Sequence, residues 1–344
     1  FWEAACMRET AARRTSSFVA LTLALAWCAA GPAAAQTGKE SNKPWRHALI
    51  QPKSDAGIPL MPQYGGFFKK LALDIGITNV KDDEIMLHAL IAGDLDSFEG
   101  GSGAGIIADA HGADVKITGC SWLMVPHGVF VHDDITAMDQ LKGKTIAISS
   151  PPAFPDLFAR GALDHFNVPE DSVKFASLGG DLDRYKALVA HLVDAAVVSG
   201  EYTPIAEKEH IKMLVSAKDA LPHFVRMCEY MLGSTIKARP DDAAKFLAGE
   251  ILGLRYAVAN KDEVVKATQE IAETKPDDPR AAFIYDLAMQ QQSIGTEVPI
   301  PADDLQWMNE ELVKVGNIAK PVDLTKVLDS KPREDALKLI AQMH

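Results

Sequence analysis

Cysteine, basic charge and long apolar segments are all scarce in this sequence. Four cysteines among 344 residues are too few for the disulfide framework of a small secreted domain. Lysine and arginine number 35 against 47 aspartates and glutamates, which gives a formal net charge of -12. No basic stripe offsets this excess, so we expect no nucleic-acid partner.

Metal-binding patterns are missing as well. The ten histidines are scattered, and neither C-x-x-C nor H-E-x-x-H occurs, so we expect no metal site and no cofactor. What is present is ordinary for a globular protein: 47% hydrophobic and 24% charged residues. The length suffices for one large or two medium domains.

The beginning of the chain has the layout of a secretory signal peptide. Three arginines precede an apolar stretch at Phe18–Ala30, and three alanines at 33–35 supply a cleavage site. The stretch is too short for a comfortable membrane span, although an N-terminal anchor is the alternative. We expect cleavage after Ala35, removal of residues 1–35 and a periplasmic mature protein.

One short segment occurs twice. Ala89–Asp96 returns 98 residues later as Ala187–Asp194, with four of eight residues identical and two aliphatic exchanges. Each copy closes a helical stretch and leads into a β-type run, at Ser97–Gly101 and at Ala195–Gly200. We interpret the pair as one supersecondary unit used twice, which predicts two similar α/β lobes with a ligand cleft between them.

Short apolar runs alternate with helical patterns before Pro240, as is typical of a largely parallel sheet covered by helices. From Pro240 onward the strand signals stop, and we expect the helices that follow to pack on the first lobe. The predicted strands are 46–51, 73–78, 95–98, 115–120, 145–149, 173–176 and 195–199. The predicted helices of the last third end near 260, 274, 292, 315 and 342.

Five segments resemble the solute-binding components of ABC importers, in the branch of the alkanesulfonate, taurine and thiamine-pyrimidine (NMT1-like) binding proteins. They follow that family's order over about residues 46 to 230. The sequence departs from the pattern at His191, where a small residue is usual, and at Glu99, where the loop is generally small or polar. The segments are 66–75, 89–96, 111–117, 141–147 and 187–198.

The resemblance implies a type II-like periplasmic-binding-protein fold, with two doubly wound lobes joined by two crossover strands near 123–131 and 224–231. Lobe 1 would comprise 45–126 plus 229–344, and lobe 2 would comprise 127–228. It also implies a monomeric protein without catalytic activity. Such a protein captures a small organic solute, either flat and nitrogen-bearing or a sulfonate or carboxylate, and delivers it to a membrane permease.

Two cysteines, Cys120 and Cys228, remain after the expected cleavage. They could form one disulfide or be two small buried side chains. The resemblance implies that both lie near the hinge, where a disulfide would restrict closure. We therefore expect free thiols.

Ligands of doubly wound sheets bind beyond the carboxyl ends of the strands. Four loops and one aromatic residue meet this condition. The candidate ligand-binding residues are Lys53, Ser54 and Asp55; Glu99, Gly101 and Ser102; Ser149, Ser150 and Phe154; Glu201 and Tyr202; and Trp122.

These candidates point to two different ligand chemistries. The serine hydroxyls and the loop N–H groups favour an anion. In contrast, Glu99 and Glu201 favour a nitrogen-bearing group, and Trp122, Phe154 and Tyr202 could stack on a flat ring or a cation. The ordinary structural alternatives are solvated acids, core aromatic side chains and helix-capping serines.

An exported serine hydrolase is the alternative function. Gly100–Ala104 nearly matches the G-x-S-x-G nucleophile elbow at a strand-to-helix turn, with Ser102 as the nucleophile. The last glycine of the motif is replaced by Ala104, and His210 and His223 are the main candidates for the base.

Overall fold

A computed structural model describes residues 43–50, 53–80, 82–149 and 154–343. The predicted signal peptide and the candidate Ser150 lie outside this part of the chain. Ten strands are present in the described residues. They are β1 Trp45–Ile50, β2 Ile75–Val80, β3 Ser97–Gly101, β4 Val115–Trp122, β5 His127–His132, β6 Thr145–Ile148, β7 Lys174–Ser177, β8 Ala195–Ser199, β9 Ile211–Ser216 and β10 Met227–Leu232.

The strands form two five-stranded sheets of the same topology. Their orders are β2-β1-β3-β10-β4 and β7-β6-β8-β5-β9. In each sheet the fourth strand, β10 or β5, runs antiparallel to its two neighbours, and the remaining pairs are parallel. The chain passes between the sheets twice, at 123–126 and 217–226, so the predicted two α/β lobes and two crossings are confirmed. The exact lobe limits at 126/127 and 228/229 remain a proposal: the first falls between β4 and β5, whereas the second falls within β10 of the first sheet.

Helices cover both sheets and fill the last third of the chain. The helical stretch after β1 is divided in two, because Gly66 takes a left-handed φ of 69° between the two parts. The helices are α1 Met61–Tyr64, α2 Phe67–Lys70, α3 Asp83–Ala92, α4 Ala104–Ala110, α5 Phe154–His165, α6 Asp181–Val189, α7 Thr203–Ala206, α8 Ala217–Ala220, α9 Gly233–Ala238, α10 Pro240–Ala259, α11 Lys261–Ile271, α12 Arg280–Gln291, α13 Ala302–Lys314, α14 Leu324–Val327 and α15 Lys331–Ala341.

The helices after Pro240 pack mainly on the first sheet, as predicted. The longest, α10, buries Phe246 against Trp45 of β1, with ring centroids 5.7 Å apart. Another of them, α12, also reaches the second lobe, because Leu287 lies against Gly200, where a Cβ atom would come within 2.8 Å of it. The C-terminal helices therefore contact both sides of the cleft.

The duplicated segment builds the same unit in each lobe. A shift of 98 residues carries the first residue of α3 onto that of α6, and β3 onto β8. Asp96, the last residue of the first copy, accepts a hydrogen bond of 2.9 Å from the backbone N–H of Arg46 on β1. Asp194, the last residue of the second copy, accepts the equivalent bond of 2.8 Å from Thr145 on β6.

The prediction of free thiols is wrong, because Cys120 and Cys228 form a disulfide with an S–S distance of 2.06 Å. They lie on β4 and β10, which are neighbours in the first sheet. The bond therefore lies within one lobe and does not join the two lobes. The argument from restricted closure fails because it assumed a bond across the hinge.

Candidate functional site

A cavity of about 1770 Å³ lies between the two sheets, and residues of both lobes line it. Every predicted ligand-binding residue in the described part of the chain lies on its wall. That these side chains bind a ligand remains a prediction. The lining residues from the prediction are Lys53, Ser54, Asp55, Glu99, Gly101, Ser102, Trp122, Ser149, Phe154, Glu201 and Tyr202.

An arginine that the sequence did not single out organises the wall on the first lobe. Arg226 lies just before β10, forms an ion pair with Asp55, and places its guanidinium 4.1 Å from the centre of the Trp122 ring. Burial raises the pKa of Asp55, but the charge and hydrogen bond of Arg226 outweigh it and leave the pKa below its ordinary value. One face of Trp122 is thus covered by a cation of the protein itself.

The opposite wall carries a carboxylate with three basic neighbours. Asp181, the first residue of α6, contacts Arg184 at 2.6 Å and His127 at 3.6 Å. Lys53 of the first lobe reaches Asp181 at 3.7 Å. Burial raises the pKa of Asp181, yet His127, Arg184 and Lys53 lower it overall, while burial keeps the pKa of His127 below its ordinary value. Asp181 is therefore a fixed negative charge that also links the two lobes.

Three further carboxyl groups face the cavity without an ion pair among the described residues. Burial raises the pKa of Glu99, although Ser121 donates a hydrogen bond to it. Burial also raises the pKa of Asp83, which accepts a bond of 3.0 Å from the backbone N–H of Gly101. In Glu201, burial and the charge of Asp55 raise the pKa to about 7.

Gly101 is required by this arrangement. A Cβ atom at this position would come within 2.9 Å of a carboxylate oxygen of Asp83. The missing side chain lets the Asp83 carboxylate reach the backbone N–H of Gly101. The predicted glycine therefore acts by allowing close approach, and not through a side chain of its own.

Two more acids lie beneath the cavity. Glu229 on β10 is directly opposite Glu99 in the antiparallel ladder, and neither of its carboxyl oxygens has a hydrogen-bond partner in the described structure. Glu250 of α10 is also buried. Burial raises the pKa of both groups well above the ordinary value, and Glu99 adds to the effect. Burial thus disfavours the charged forms of the acids at 99, 229 and 250.

Several buried hydrogen-bonding groups of the cavity wall are left without a partner in the described residues. They include the hydroxyls of Ser102 and Ser149, the indole N–H of Trp122 and one terminal nitrogen of Arg226. Buried polar groups are nearly always hydrogen-bonded in native proteins. Unpartnered groups gathered on one cavity wall are therefore expected to be satisfied by a bound molecule.

The geometry gives the hydrolase alternative no support. Ser102 is buried and its hydroxyl has no hydrogen-bond partner among the described residues, whereas a nucleophilic serine needs a base within hydrogen-bonding distance. Of the two candidate bases, His223 bonds Asp304 at 2.8 Å and His210 lies 3.4 Å from Asp133.

Sequence reasoning missed several charged wall residues, among them Asp83, His127, Asp181 and Arg226. A signal existed for two of them, since Asp83 and Asp181 each lie six residues before a copy of the duplicated segment. Extending the comparison upstream would have placed both at the start of equivalent helices. His127 and Arg226 lie next to the crossings, where the repeat gives no guide.

No group of three histidine, cysteine, aspartate or glutamate side chains in the described residues is arranged to hold a metal ion. The same part of the chain contains no helix that is both long and apolar enough to span a membrane.

Two lobes of like topology, two crossings and a cleft between them define the periplasmic-binding-protein fold. A family model described as NMT1/THI5 like matches residues 56–264. The chain belongs to this family. No curated protein sequence is significantly similar to it.

Solved structures share the fold at low sequence identity. SsuA, a periplasmic sulfonate-binding protein of Methylobacillus flagellatus KT, has a TM-score of 0.69 at 15% identity, covering 87% of this chain and 95% of its own. The aliphatic sulphonate binding protein SsuA of Escherichia coli has a TM-score of 0.65 at 16% identity, covering 83% and 92%. The desulfurization enzyme DSZB, solved with biphenyl-2-sulfinic acid, has a TM-score of 0.66 at 15% identity, covering 86% and 99%. The fold thus occurs in both binding proteins and an enzyme.

Proposed function

We propose that this protein is the substrate-binding component of an ABC-type importer. It is exported to the periplasm by its N-terminal signal peptide, captures a small organic solute between its lobes and delivers it to a membrane permease. The observation that carries the proposal is the interlobe cavity with unpartnered buried donors on its wall. Membership of the NMT1/THI5-like family supports it.

The residues of the cavity wall support binding without catalysis. The fold is shared with the enzyme DSZB, so the fold alone does not decide the question. Both cysteines of the described chain are joined in a disulfide, and Ser102 has no base beside it in the same region. A solute recovered chemically unchanged from the protein after incubation is the expected result.

Thermal unfolding of the mature protein with a panel of solutes tests the proposal. A ligand that binds only the folded state stabilises it by RT ln(1 + [L]/Kd), about 2.7 kcal/mol at one hundred times Kd. Substitution of Glu99, Trp122 or Glu201 should abolish the gain. If all three variants bind as the parent does, the binding site is elsewhere.

Delivery to a permease is tested separately. The mature protein should stimulate ATP hydrolysis by its cognate permease complex in vesicles, and only when the solute is present. Stimulation that does not depend on the solute would contradict a role as the carrier.

A further inference from the structure

The cavity contains more acids than bases. Among the described residues that line it, seven are aspartate or glutamate and four are lysine or arginine. Each of the four cations already contacts a carboxylate, and Lys53 and Arg184 share that of Asp181. The contacts are Lys53–Asp181, Arg184–Asp181, Arg226–Asp55 and Arg280–Asp278.

The acids on the cavity wall are only partly matched by cations. Asp83, Glu99 and Glu201 line the cavity, and none forms an ion pair with another described residue. Asp83 and Glu99 lie on the first lobe, and Glu201 follows β8 on the second. A solute held between the lobes therefore meets unpaired acids from both sides.

Burial makes the shortage of positive charge more severe. Glu201 is only 7% exposed, and the charged groups that act on it are Asp55 and Asp181, which raise its pKa, and Arg280, which lowers it. Burying an unpaired carboxylate beside other carboxylates is costly. A cation bound next to Glu201 would remove that cost, whereas an anion would add to it.

Two neutral donors also lie on the wall. Ser102 and Trp122 are 1% and 2% exposed, and each has a donor atom without a partner within the described chain. These are independent of the acids and call for an acceptor atom on the ligand. An anion could use them together with the unpartnered terminal nitrogen of Arg226, but the charge of that guanidinium is already compensated by Asp55.

We infer that the solute of this cleft carries a positively charged nitrogen, an ammonium or amidinium group, which the carboxylates of Glu201, Glu99 and Asp83 hold. A hydrogen-bond acceptor elsewhere on the solute meets Ser102 and Trp122. This inference rests on the proposed function and names the substrate class of the same cleft.

Three probes that share one ring test the sign of the charge. They are 4-methylbenzylamine, 4-methylbenzoate and the zwitterion 4-(aminomethyl)benzoate, each titrated calorimetrically into the mature protein at pH 8. The two probes with an ammonium group should bind at least about tenfold more tightly than 4-methylbenzoate, because a charge-assisted hydrogen bond to a buried carboxylate replaces repulsion.

A matched pair of variants assigns the effect to the cleft. Glu201→Gln should weaken amine binding by at least about tenfold and leave 4-methylbenzoate unchanged or tighter. Glu207→Gln removes the same charge from an exposed position on the same lobe and should change nothing. Glu99→Gln provides a second variant if Glu201→Gln fails to fold.

The outcomes separate the inference from the proposed function. If 4-methylbenzoate or alkanesulfonates bind and stabilise the protein while the amines do not, the inference is overturned and the carrier role stands. If neither the charged probes nor the wider solute panel binds, both fail. Amine binding that Glu201→Gln and Glu99→Gln leave unchanged also overturns the inference.

Discussion

The two lobes are built from the same unit but differ at one pair of ladder positions under the cleft. In the first lobe, Glu99 on β3 pairs with Glu229 on β10. The 98-residue offset places Val197 of β8 at the position of Glu99, and Val197 pairs with Val129 on β5. Two facing acids in one sheet thus correspond to two facing valines in the other.

The difference shows which lobe carries residues that the fold does not need. A buried ladder position favours β-branched apolar side chains, and like charges directly opposite are destabilising. The valine pair is what packing alone selects. Glu99 of the acid pair reaches the cavity. The destabilisation that the pair causes is therefore explained if its carboxyl groups act on a ligand.

The largest expected effect comes from moving the acid pair into the other lobe. Val129→Glu with Val197→Glu buries two carboxyl groups within the apolar core of the second sheet. We expect the free energy of unfolding to fall by about 5 kcal/mol or more, measured by urea denaturation at pH 8.

The reverse exchange is the control for this transplant. Glu99→Val with Glu229→Val should keep or raise the stability of the unliganded protein, because a buried unpaired acid is replaced by an apolar side chain. It should also remove amine binding. Equal tolerance of acids in both lobes would contradict the comparison.

The sequence predicted the lobes because the repeat and the strand pattern are local features. All four predicted loops reach the cavity wall, because the carboxyl ends of parallel strands meet at one edge of a sheet. The disulfide could not be predicted in this way. Cys228 enters the first sheet only after the chain has built the second, and nothing near it in sequence shows that β10 lies beside β4.

The sequence also could not show which acids of the site are paired with a cation. Asp55 and Glu201 look alike as loop acids, but Arg226 neutralises the first and leaves the second unpaired. Arg226 is 171 residues from Asp55. Which acid is paired depends on tertiary contacts of this kind, and these decide the chemistry of the site.

The disulfide is a second difference between the lobes, since Gly128 pairs with Ser216 at the corresponding place in the second sheet. The bond closes a loop of 108 residues, and the chain-entropy model gives about 4 to 5 kcal/mol for such a loop. We expect Cys120→Ser with Cys228→Ser to lower the unfolding free energy by roughly this amount.

Ligand affinity should hardly change in that variant, because the bond does not join the two lobes. A protein that begins at Gln36, as the expected cleavage would leave it, contains only these two cysteines, so unreduced, denatured protein should show no free thiol. Two titratable thiols would mean that the bond does not form in solution.

The buried acid Glu201 predicts that folding stability depends on pH, whereas the apolar side chains of the preceding strand β8 do not titrate. The pKa of Glu201 is about 7 in the folded protein against an ordinary 4.5, so between these values the folded state holds a proton that the unfolded chain has lost. Stability therefore falls as pH rises through this window. At 1.36 kcal/mol per pH unit, the loss by pH 8 is about 3 kcal/mol.

The measurement is the unfolding free energy of unliganded protein from pH 5 to 8. Glu201→Gln should reduce the slope and make the variant more stable than the parent at pH 8, even though it binds amines less well. A parent whose stability rises across this range would show that the carboxyl is not held in its neutral form.

The smallest expected effect lies at the end of the duplicated helix. Gly93 and His191 occupy equivalent left-handed positions, with φ of 80° and 53°, and the next residue in each copy bonds the equivalent carbonyl at 2.9 Å. Gly93→Ala should cost about 1 kcal/mol in urea unfolding, because a Cβ is strained in this conformation.

His191→Gly relieves the same strain in the second lobe, but it removes the ring stack of His191 on His132, whose centroids are 4.0 Å apart. The net gain should therefore be smaller than the loss at Gly93. Measuring His191→Gly in a His132→Ala background separates the two contributions, since the stack is then already absent and the full relief of about 1 kcal/mol should appear. If the free energy of unfolding does not rise in that background, His191 is not strained. The two copies then end their helices at a similar cost in free energy.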